Sequence, residues 1–178
     1  VTVEKKEGHL KGTKDVTIQD LPGIYSLSPY TLEEVVARGY LVNDRPDAIL
    51  NIVDATNIER NLYLTTQLVE LGVPMVIALN MMDEAKARGL KVDAQPIEEA
   101  LGIPVILTVA TRGQGLSDLL DAISGAHRSA FAIEYPQPIE QALNDLEARL
   151  PRNGGRGPVT GLFARIRLRP AVGWPRRD

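Results

Sequence analysis

Residues 47–80, DAILNIVDATNIERNLYLTTQLVELGVPMVIALN, decide the fold class of this 178-residue chain. Segments 47–55 and 73–80 are short apolar runs, which are typical of strands buried on both faces. Between them apolar residues recur at helical spacing, and Thr56 with Glu59 three residues later has the spacing of a capping box. A strand, a helix and a second strand in this order predict two parallel strands joined by a right-handed crossover.

The same alternation extends in both directions along the chain. Residues 1–20 contain two alternating runs around a polar stretch with a glycine, which predicts a β-hairpin. Helical spacing recurs in residues 30–44, 93–102 and 115–125, and residues 103–109 form a further apolar run. The sequence therefore predicts an α/β fold with a mostly parallel sheet and helices on both faces.

Composition excludes several classes of function. The chain contains no cysteine, so disulfides, thiolate zinc sites and cysteine nucleophiles are ruled out. His9 and His127 are isolated and lack the spacing of metal ligands, so we expect each to have a solvated structural role. No apolar run approaches the roughly 20 residues that a membrane-spanning helix needs.

Charge is distributed unevenly along the chain. Seven arginines and one aspartate give residues 152–178 a formal charge of +6, and since the whole chain carries −3, residues 1–151 carry −9. An acidic body binds duplex phosphates poorly, and an aromatic content of 4% argues against base stacking. We therefore expect no nucleic-acid partner, and we expect the Arg, Gly and Pro-rich tail to be disordered or aberrant.

Polar or glycine-rich residues follow each predicted strand. They are residues 20–23 after the hairpin, Asp54 after the second strand, residues 80–83 after the third and residues 110–115 after the fourth. Ligands of parallel sheets collect at the carboxyl ends of the strands. We therefore expect these groups to lie together at one edge of the same sheet.

Asp20 and Gly23 suit a phosphate and its metal ion. A carboxylate at a strand end can hold a hydrated Mg²⁺, while the exposed amide of a glycine three residues later can meet a terminal phosphate. Leu21 and Pro22 form the connection between them. The alternative is a simple turn, since Asp, Pro and Gly are common turn residues.

The segment Asn80, Met81, Met82 and Asp83 suits a guanine base. A carboxylate accepts hydrogen bonds from the N1–H and the exocyclic N2–H₂ of guanine, an edge that adenine does not offer, and an asparagine amide can bond neighbouring loops and the polar rim of the purine. The alternative is a polar segment that caps a helix after a buried strand.

The loop that contains Ala110, Thr111 and Arg112 suits the same base. A small residue and backbone amides could approach the base oxygen, and Gly113 and Gly115 permit a tight turn. The alternative is an ordinary glycine-rich loop between a strand and a helix.

Taken together, these groups closely resemble the nucleotide-binding domain of bacterial ferrous iron transport protein B, a GTPase-like domain fused to a membrane permease. The resemblance covers roughly residues 1–150 and rests on VTVE, DLPGIYSLSPY, NIVDATNIERNLYLTTQLVELGVPMVIALNMMDEA and TRGQG. It implies a P-loop GTPase-like fold with residues 1–127 as a partial G domain. Residues 128–151 would begin a small helical domain, and residues 152–178 would be the tail.

The resemblance implies roles for single residues on the phosphate side. Thr2 corresponds to a switch-one threonine that coordinates Mg²⁺, and Asp20 and Gly23 correspond to the switch-two pair, with Asp20 as a second Mg²⁺ ligand. The implied cofactors are GTP or GDP and Mg²⁺, with K⁺ a candidate further cation in the parent protein.

On the base side, the resemblance implies that Asn80 and Asp83 recognise guanine, with Met81 between them. Ala110, Thr111 and Arg112 fall in the loop that lies against the base. The family more often has serine where Ala110 stands, a mild departure that a backbone contact tolerates.

Two departures from the family pattern matter more. No G-x-x-x-x-G-K-[ST] motif occurs in the chain, so the loop that cradles the β- and γ-phosphates is missing. We therefore expect an N-terminally truncated fragment that lacks the first strand, exposes apolar faces, binds GTP poorly and hydrolyses essentially none. The tail stands where the family has further amphipathic helices, and a frameshift in GC-rich DNA is one hypothesis for its composition, which the sequence does not decide.

The resemblance implies a parent that couples GTP binding and hydrolysis to Fe²⁺ uptake at the cytoplasmic face of the bacterial inner membrane. Its partner would be the permease domain of the same protein, and the fragment itself would be soluble. No cluster here has transition-metal spacing, so we expect Fe²⁺ to bind elsewhere. A ribosome- or RNA-associated small GTPase fragment and a non-catalytic remnant stay open as alternatives, as does the oligomeric state.

Overall fold

A β-hairpin opens the described part of the chain. The computed structural model describes residues 6–10, 16–44, 46–129, 131 and 135–149. Strands β1 (Lys6–His9) and β2 (Thr17–Asp20) pair antiparallel. The predicted hairpin is confirmed.

The hairpin is not part of the parallel sheet. Among the described residues, β2 pairs with β1 alone, in a two-stranded sheet of its own. The prediction that Asp20 ends a strand of the same parallel sheet is therefore wrong. The backbone groups of β2 are hydrogen-bonded by antiparallel pairing with β1. No described strand pairs with both sheets to join them.

Three parallel strands form the second sheet, in the order β3, β4, β5. They are β3 (Ile49–Asp54), β4 (Met75–Asn80) and β5 (Val105–Leu107). β3 and β4 align residue for residue over six positions, which places Asp54 opposite Asn80. The predicted parallel pairing across residues 47–80 is confirmed.

Helices connect and flank these strands. They are α1 (Leu32–Gly39), which continues as a π-helical turn (Tyr40–Asp44), α2 (Ile58–Val69), α3 (Met82–Ala87), α4 (Gln95–Leu101), α5 (Leu116–Ser124) and α6 (Gln137–Arg149). All were predicted except the six-residue α3, which is too short to show helical periodicity. The division into 1–127 and 128–151 stays a prediction, and residues 152–178 lie outside the described part.

The capping box lies at a different helix from the predicted one. Thr31 caps α1, since its side chain accepts from the Glu34 amide while the Glu34 carboxylate accepts from the Thr31 amide. The predicted box at Thr56 is wrong, because α2 begins at Ile58 after Asn57. The Thr56 amide instead donates to the Asp54 carboxylate at 2.7 Å.

The main core lies on one face of the parallel sheet. Ile49 and Val53 of β3 and Ile77 and Leu79 of β4 pack there with residues of α2 and α4. α5 covers the opposite face by placing Leu119 against β4. Helices therefore lie on both faces of the sheet, as predicted.

One face of β3 is exposed. Leu50 and Ile52 are 41% and 63% exposed, so the prediction that this strand is buried on both faces is wrong. The reason is that α5 packs on Val76 and Ala78 of the neighbouring strand, and the described residues do not bury Leu50 and Ile52 of β3. An exposed apolar face was expected for a sheet that lacks a central strand.

None of the described helices combines the length and the apolar character needed to cross a bilayer.

Candidate functional site

Asn80 joins the ends of two parallel strands. It is the last residue of β4, and its side-chain Oδ1 accepts from the Ala110 amide at 3.0 Å and from the Thr108 hydroxyl at 3.2 Å. Both donors follow β5. The predicted association of residues 80–83 with residues 110–115 is therefore present in the structure.

Met81 makes the turn from β4 into α3. Its φ of 64° places it in the left-handed region, where among the described residues it is the only one that is not glycine. Such a backbone costs about 1–2 kcal/mol. The conformation lets α3 begin one residue later, so that Asp83 stands in the first turn of that helix.

Asp83 contacts the opposite loop through an ion pair. Its Oδ2 lies 3.2 Å from Nη2 of Arg112, and its Oδ1 accepts from the Glu84 amide at 3.0 Å. Asp83 and Arg112 both line a cleft of about 620 Å³, whose wall also includes Met82, Thr108 and Val109. Asn80 is not among the residues that line this cleft. Its contribution is the hydrogen bond to the Ala110 amide, which holds one of the loops that border the cleft.

Glycines close the loop between β5 and α5. A 3₁₀ turn, Ala110–Arg112, ends at Gly113 with a φ of 67°, and Gly115 with a φ of 79° precedes α5. A Cβ atom on Gly115 would collide with the Leu107 carbonyl oxygen. The predicted need for glycine in this loop is therefore confirmed, and at Gly115 it is steric as well as conformational.

The residues after Asp20 follow a strand of the hairpin sheet and not a strand of the parallel sheet. Asp20 ends β2 in the hairpin sheet, and Leu21 packs against the main core. Gly23 has open space around its Cα and no left-handed φ, so its backbone does not demand glycine. The expectation that Asp20, Pro22 and Gly23 share one sheet edge with Asn80 is wrong, because the hairpin is a separate sheet.

The Asp54 carboxylate is hydrogen-bonded within the turn that follows β3. It accepts from the Thr56 amide, and the amide of Ala55 donates to the Asn80 carbonyl at 2.9 Å. This carboxylate therefore shapes the exit from β3.

Side chains of α2 hold the segment that follows Gly23, which the sequence did not reveal. The Leu27 amide donates to Oε1 of Gln67 at 2.7 Å, and both residues are buried. The guanidinium of Arg60 lies 3.6 Å from the centre of the Tyr25 ring. These partners are distant in sequence, so no local motif signals them.

The residues predicted to lie on the phosphate side fall only partly within the described part of the chain. Thr2 lies outside the described residues. Within the described ranges, no group of three or more His, Asp or Glu side chains is placed to hold a metal ion. Asp20 is exposed, and a single accessible carboxylate is compatible with Mg²⁺ that keeps its other ligands from water and phosphates.

His127 has the predicted solvated structural role. The ring is exposed, and its two nitrogens lie 3.4 Å from the Gly125 carbonyl oxygen and 3.1 Å from that of Gly102. It thereby links the end of α5 to the end of α4.

The parallel sheet with helices on both faces makes this an α/β domain, and the solved structures that share its fold are GTPase domains. The family described as ferrous iron transport protein B matches residues 1–123. The chain belongs to this family.

Two relatives illustrate the match in sequence. The Fe(2+) transport protein A/Fe(2+) transporter FeoB fusion protein of Porphyromonas gingivalis is 46% identical over 158 residues, which are 84% of this chain and 19% of that protein. The Fe(2+) transporter FeoB of Escherichia coli K12 is 42% identical over 158 residues, 85% of this chain and 20% of that protein. The chain thus spans about a fifth of the length of these curated relatives.

Solved structures match in fold as well as in sequence. An S. thermophilus NFeoB mutant bound to GDP is 47% identical, with a TM-score of 0.74 over 83% of this chain and 59% of that one. NFeoB from S. thermophilus bound to GDP.AlF4- and K⁺ is also 47% identical, with a TM-score of 0.74 and the same coverage. The cytosolic domain of L. pneumophila FeoB is 38% identical, with a TM-score of 0.75 over 84% of this chain and 61% of that one.

Proposed function

We propose that this chain is a guanine-nucleotide-binding part of a ferrous iron transporter, in which GTP binding and hydrolysis control Fe²⁺ uptake. Family membership supports the transporter, and neighbours bound to GDP or GMPPNP support the nucleotide. Because the chain spans about a fifth of its curated relatives, iron uptake is a proposal about the parent protein.

One observation carries the proposal. Asn80 holds the Ala110 amide and the Thr108 hydroxyl, so the loops that follow β4 and β5 are fixed against each other. Asp83 stands in the first turn after this junction, beside Arg112. We propose that Asp83 accepts the N1–H and N2–H₂ of guanine, while Asn80 and the Ala110–Arg112 turn shape the wall against the base.

The phosphate side of the proposal rests on Asp20 and its neighbours. We propose that Asp20 binds Mg²⁺ through water or directly, that the Gly23 amide meets a terminal phosphate, and that Leu21 and Pro22 fix their spacing. Thr2 is proposed as a second Mg²⁺ ligand from the resemblance alone. K⁺ is named with a neighbour of this family and is proposed as a further cation of the parent.

The remaining elements of the proposal concern the parent protein. We propose that its partner is the membrane permease domain of the same parent protein, and that its place is the cytoplasmic face of the bacterial inner membrane. Because no phosphate loop motif occurs in residues 1–178, we expect essentially no GTP hydrolysis by this chain alone and weak nucleotide binding.

Exchange of Asp83 for Asn tests the base assignment. Asparagine offers one acceptor and one donor, which match the N1–H and the C2 carbonyl of xanthine instead of the two donors of guanine. We expect Asp83→Asn to weaken GDP binding at least about tenfold and to create a preference for XDP. Binding is measured by thermal stabilisation at increasing GDP, XDP and ADP concentrations, since a ligand of the folded state must raise the melting temperature.

Glu84→Gln is the matched control. It removes a carboxylate one residue further along α3, 51% exposed in its side chain, without changing Asp83. We expect this variant to keep the preference of the wild type for GDP. Equal stabilisation by GDP and ADP in the wild type, or an Asp83→Asn variant that still prefers GDP to XDP, would remove the proposed base assignment.

A further inference from the structure

We infer that Arg112 competes with the guanine base for the Asp83 carboxylate and thereby lowers the preference of the site for guanine over hypoxanthine. The inference rests on the proposed function, because it assigns Asp83 to the base. It adds a specificity-determining role for the Arg112 side chain, which is distinct from the contact of its loop with the base.

Both carboxylate oxygens of Asp83 already have a donor in the structure. The Glu84 amide donates to Oδ1 at 3.0 Å, and Arg112 Nη2 lies 3.2 Å from Oδ2. The Glu84 donor is the backbone of the adjacent residue and stays in place when a ligand binds. The Arg112 donor is a long side chain that can leave.

Arg112 can leave without disturbing the loop. Its side chain is 70% exposed, whereas the turn that carries it is held through the backbone by the bond from the Ala110 amide to Asn80 and closed by Gly113. Rotation of the side chain into solvent therefore breaks the ion pair alone. The Asp83 side chain is 30% exposed, so its oxygens can then be approached by another donor.

The two purines make different demands on this carboxylate. Guanine presents two donors, N1–H and N2–H₂, and directs one to each oxygen of Asp83, so at Oδ2 it meets the guanidinium of Arg112, a bulkier donor than the backbone amide at Oδ1. Hypoxanthine presents N1–H alone and can bind one oxygen while Arg112 keeps the other. The ion pair therefore opposes guanine more than it opposes hypoxanthine.

The decisive variant is Arg112→Gln, measured with GDP and IDP. Exposed ion pairs have strengths that correspond to about a two- to fivefold change in a binding constant. We expect Arg112→Gln to tighten GDP binding by that factor, and to change IDP binding less. In the Asp83→Asn background, Arg112→Gln should change GDP and IDP binding equally, and by no more than Arg88→Gln does, because the ion pair is already lost.

Arg88→Gln is the matched control for the loss of a positive charge near an anionic ligand. Arg88 is paired with Glu84 at 3.5 Å and has a side chain 61% exposed. Its replacement reports the general electrostatic effect on a diphosphate, against which Arg112→Gln is compared.

The outcomes separate this inference from the proposed function. Tighter GDP binding in Arg112→Gln than in Arg88→Gln, with a smaller change for IDP, supports the competition. Unchanged or weaker GDP binding, or equal gains for GDP and IDP, overturns it while the proposed function stands. A wild type that GDP does not stabilise at millimolar concentration overturns both.

Discussion

The loops on the base side and the segment after Asp20 are held in different ways. The base-side loops, residues 80–83 and 110–115, follow adjacent strands of one sheet and are joined at Asn80. The Asp20 segment, residues 20–28, leaves a separate hairpin and is held by side chains of α2 through Leu27. The base side therefore takes its geometry from adjacent strands of one sheet and from the Asn80 side chain between them, whereas the Asp20 segment depends on contacts with a helix.

Substitution of Gly115 should break the base side most severely. Gly115→Ala places a Cβ atom against the Leu107 carbonyl in a residue whose φ is 79°. The left-handed backbone and the collision together should cost about 2–4 kcal/mol of the free energy of unfolding. Urea denaturation of both proteins measures this difference.

Gly23→Ala is the matched control in the Asp20 segment. Its Cβ would meet no atom within 4 Å, and its φ lies outside the left-handed region. We expect a change in the free energy of unfolding within about 0.5 kcal/mol. If both glycine variants lose similar stability, the contrast between the two regions is not one of backbone geometry.

Removal of the Gln67 side-chain amide should loosen the Asp20 segment without affecting the base side. Gln67→Met keeps the length of the side chain but leaves the buried Leu27 amide without its acceptor. An orphaned buried donor costs about 1–3 kcal/mol. Amide hydrogen exchange should accelerate at Leu27 and stay unchanged at Ala110.

Gln95→Met provides the comparison on an exposed helix. Gln95 lies at the start of α4, is exposed, and bonds Glu99 within its own helix. Its replacement should change the free energy of unfolding by less than about 0.5 kcal/mol. Equal acceleration at Leu27 and Ala110 in the Gln67 variant would show that the two regions open together.

The base side was predictable from the sequence because its geometry follows from local patterns. Buried strands, a helix between them and a glycine-rich loop are visible as runs and spacings, and adjacent parallel strands must bring residues 80–83 and 110–115 to the same edge. The left-handed Met81 was not visible, since no pattern requires that conformation at a methionine.

The Asp20 segment was less predictable because its partners are distant in sequence. Leu27 and Gln67 are 40 residues apart, so no local pattern links them. The sequence pattern also does not decide whether β2 pairs with the nearby β1 or with a parallel strand far along the chain. In the structure it pairs with β1. Exposure of Ile52 depends on what covers the sheet, which the apolar pattern of one strand does not specify.

The smallest expected effect is that of a substitution at Tyr135, which tests whether the end of α2 also fixes the segment that leads into α6. The Tyr135 hydroxyl donates to Oε1 of Glu70 at 2.8 Å, one helical turn beyond Gln67, and Glu70 is 4% exposed. Tyr135→Phe removes this hydrogen bond, and because the ring is only partly buried we expect a loss of about 1 kcal/mol at neutral pH. Tyr63→Phe, on an exposed face of α2, should cost less than about 0.5 kcal/mol.

The difference in stability between the wild type and Tyr135→Phe should depend on pH, because only the wild type has a titrating hydroxyl at this position. Burial, reinforced by the hydrogen bond to Glu70 and by the charges of Glu70 and Glu140, raises the pKa of Tyr135 from 10.0 to about 12. Below pH 10 the tyrosine is protonated in both states, so its contribution is constant; between pH 10 and 12 the unfolded chain loses the proton first, and the contribution falls. The gap in urea midpoint between wild type and Tyr135→Phe should therefore be equal at pH 7 and 9 and smaller at pH 11. A gap that stays constant to pH 11 would mean that Glu70 does not hold this hydroxyl, and that α2 holds the Asp20 segment without also holding the entrance to α6.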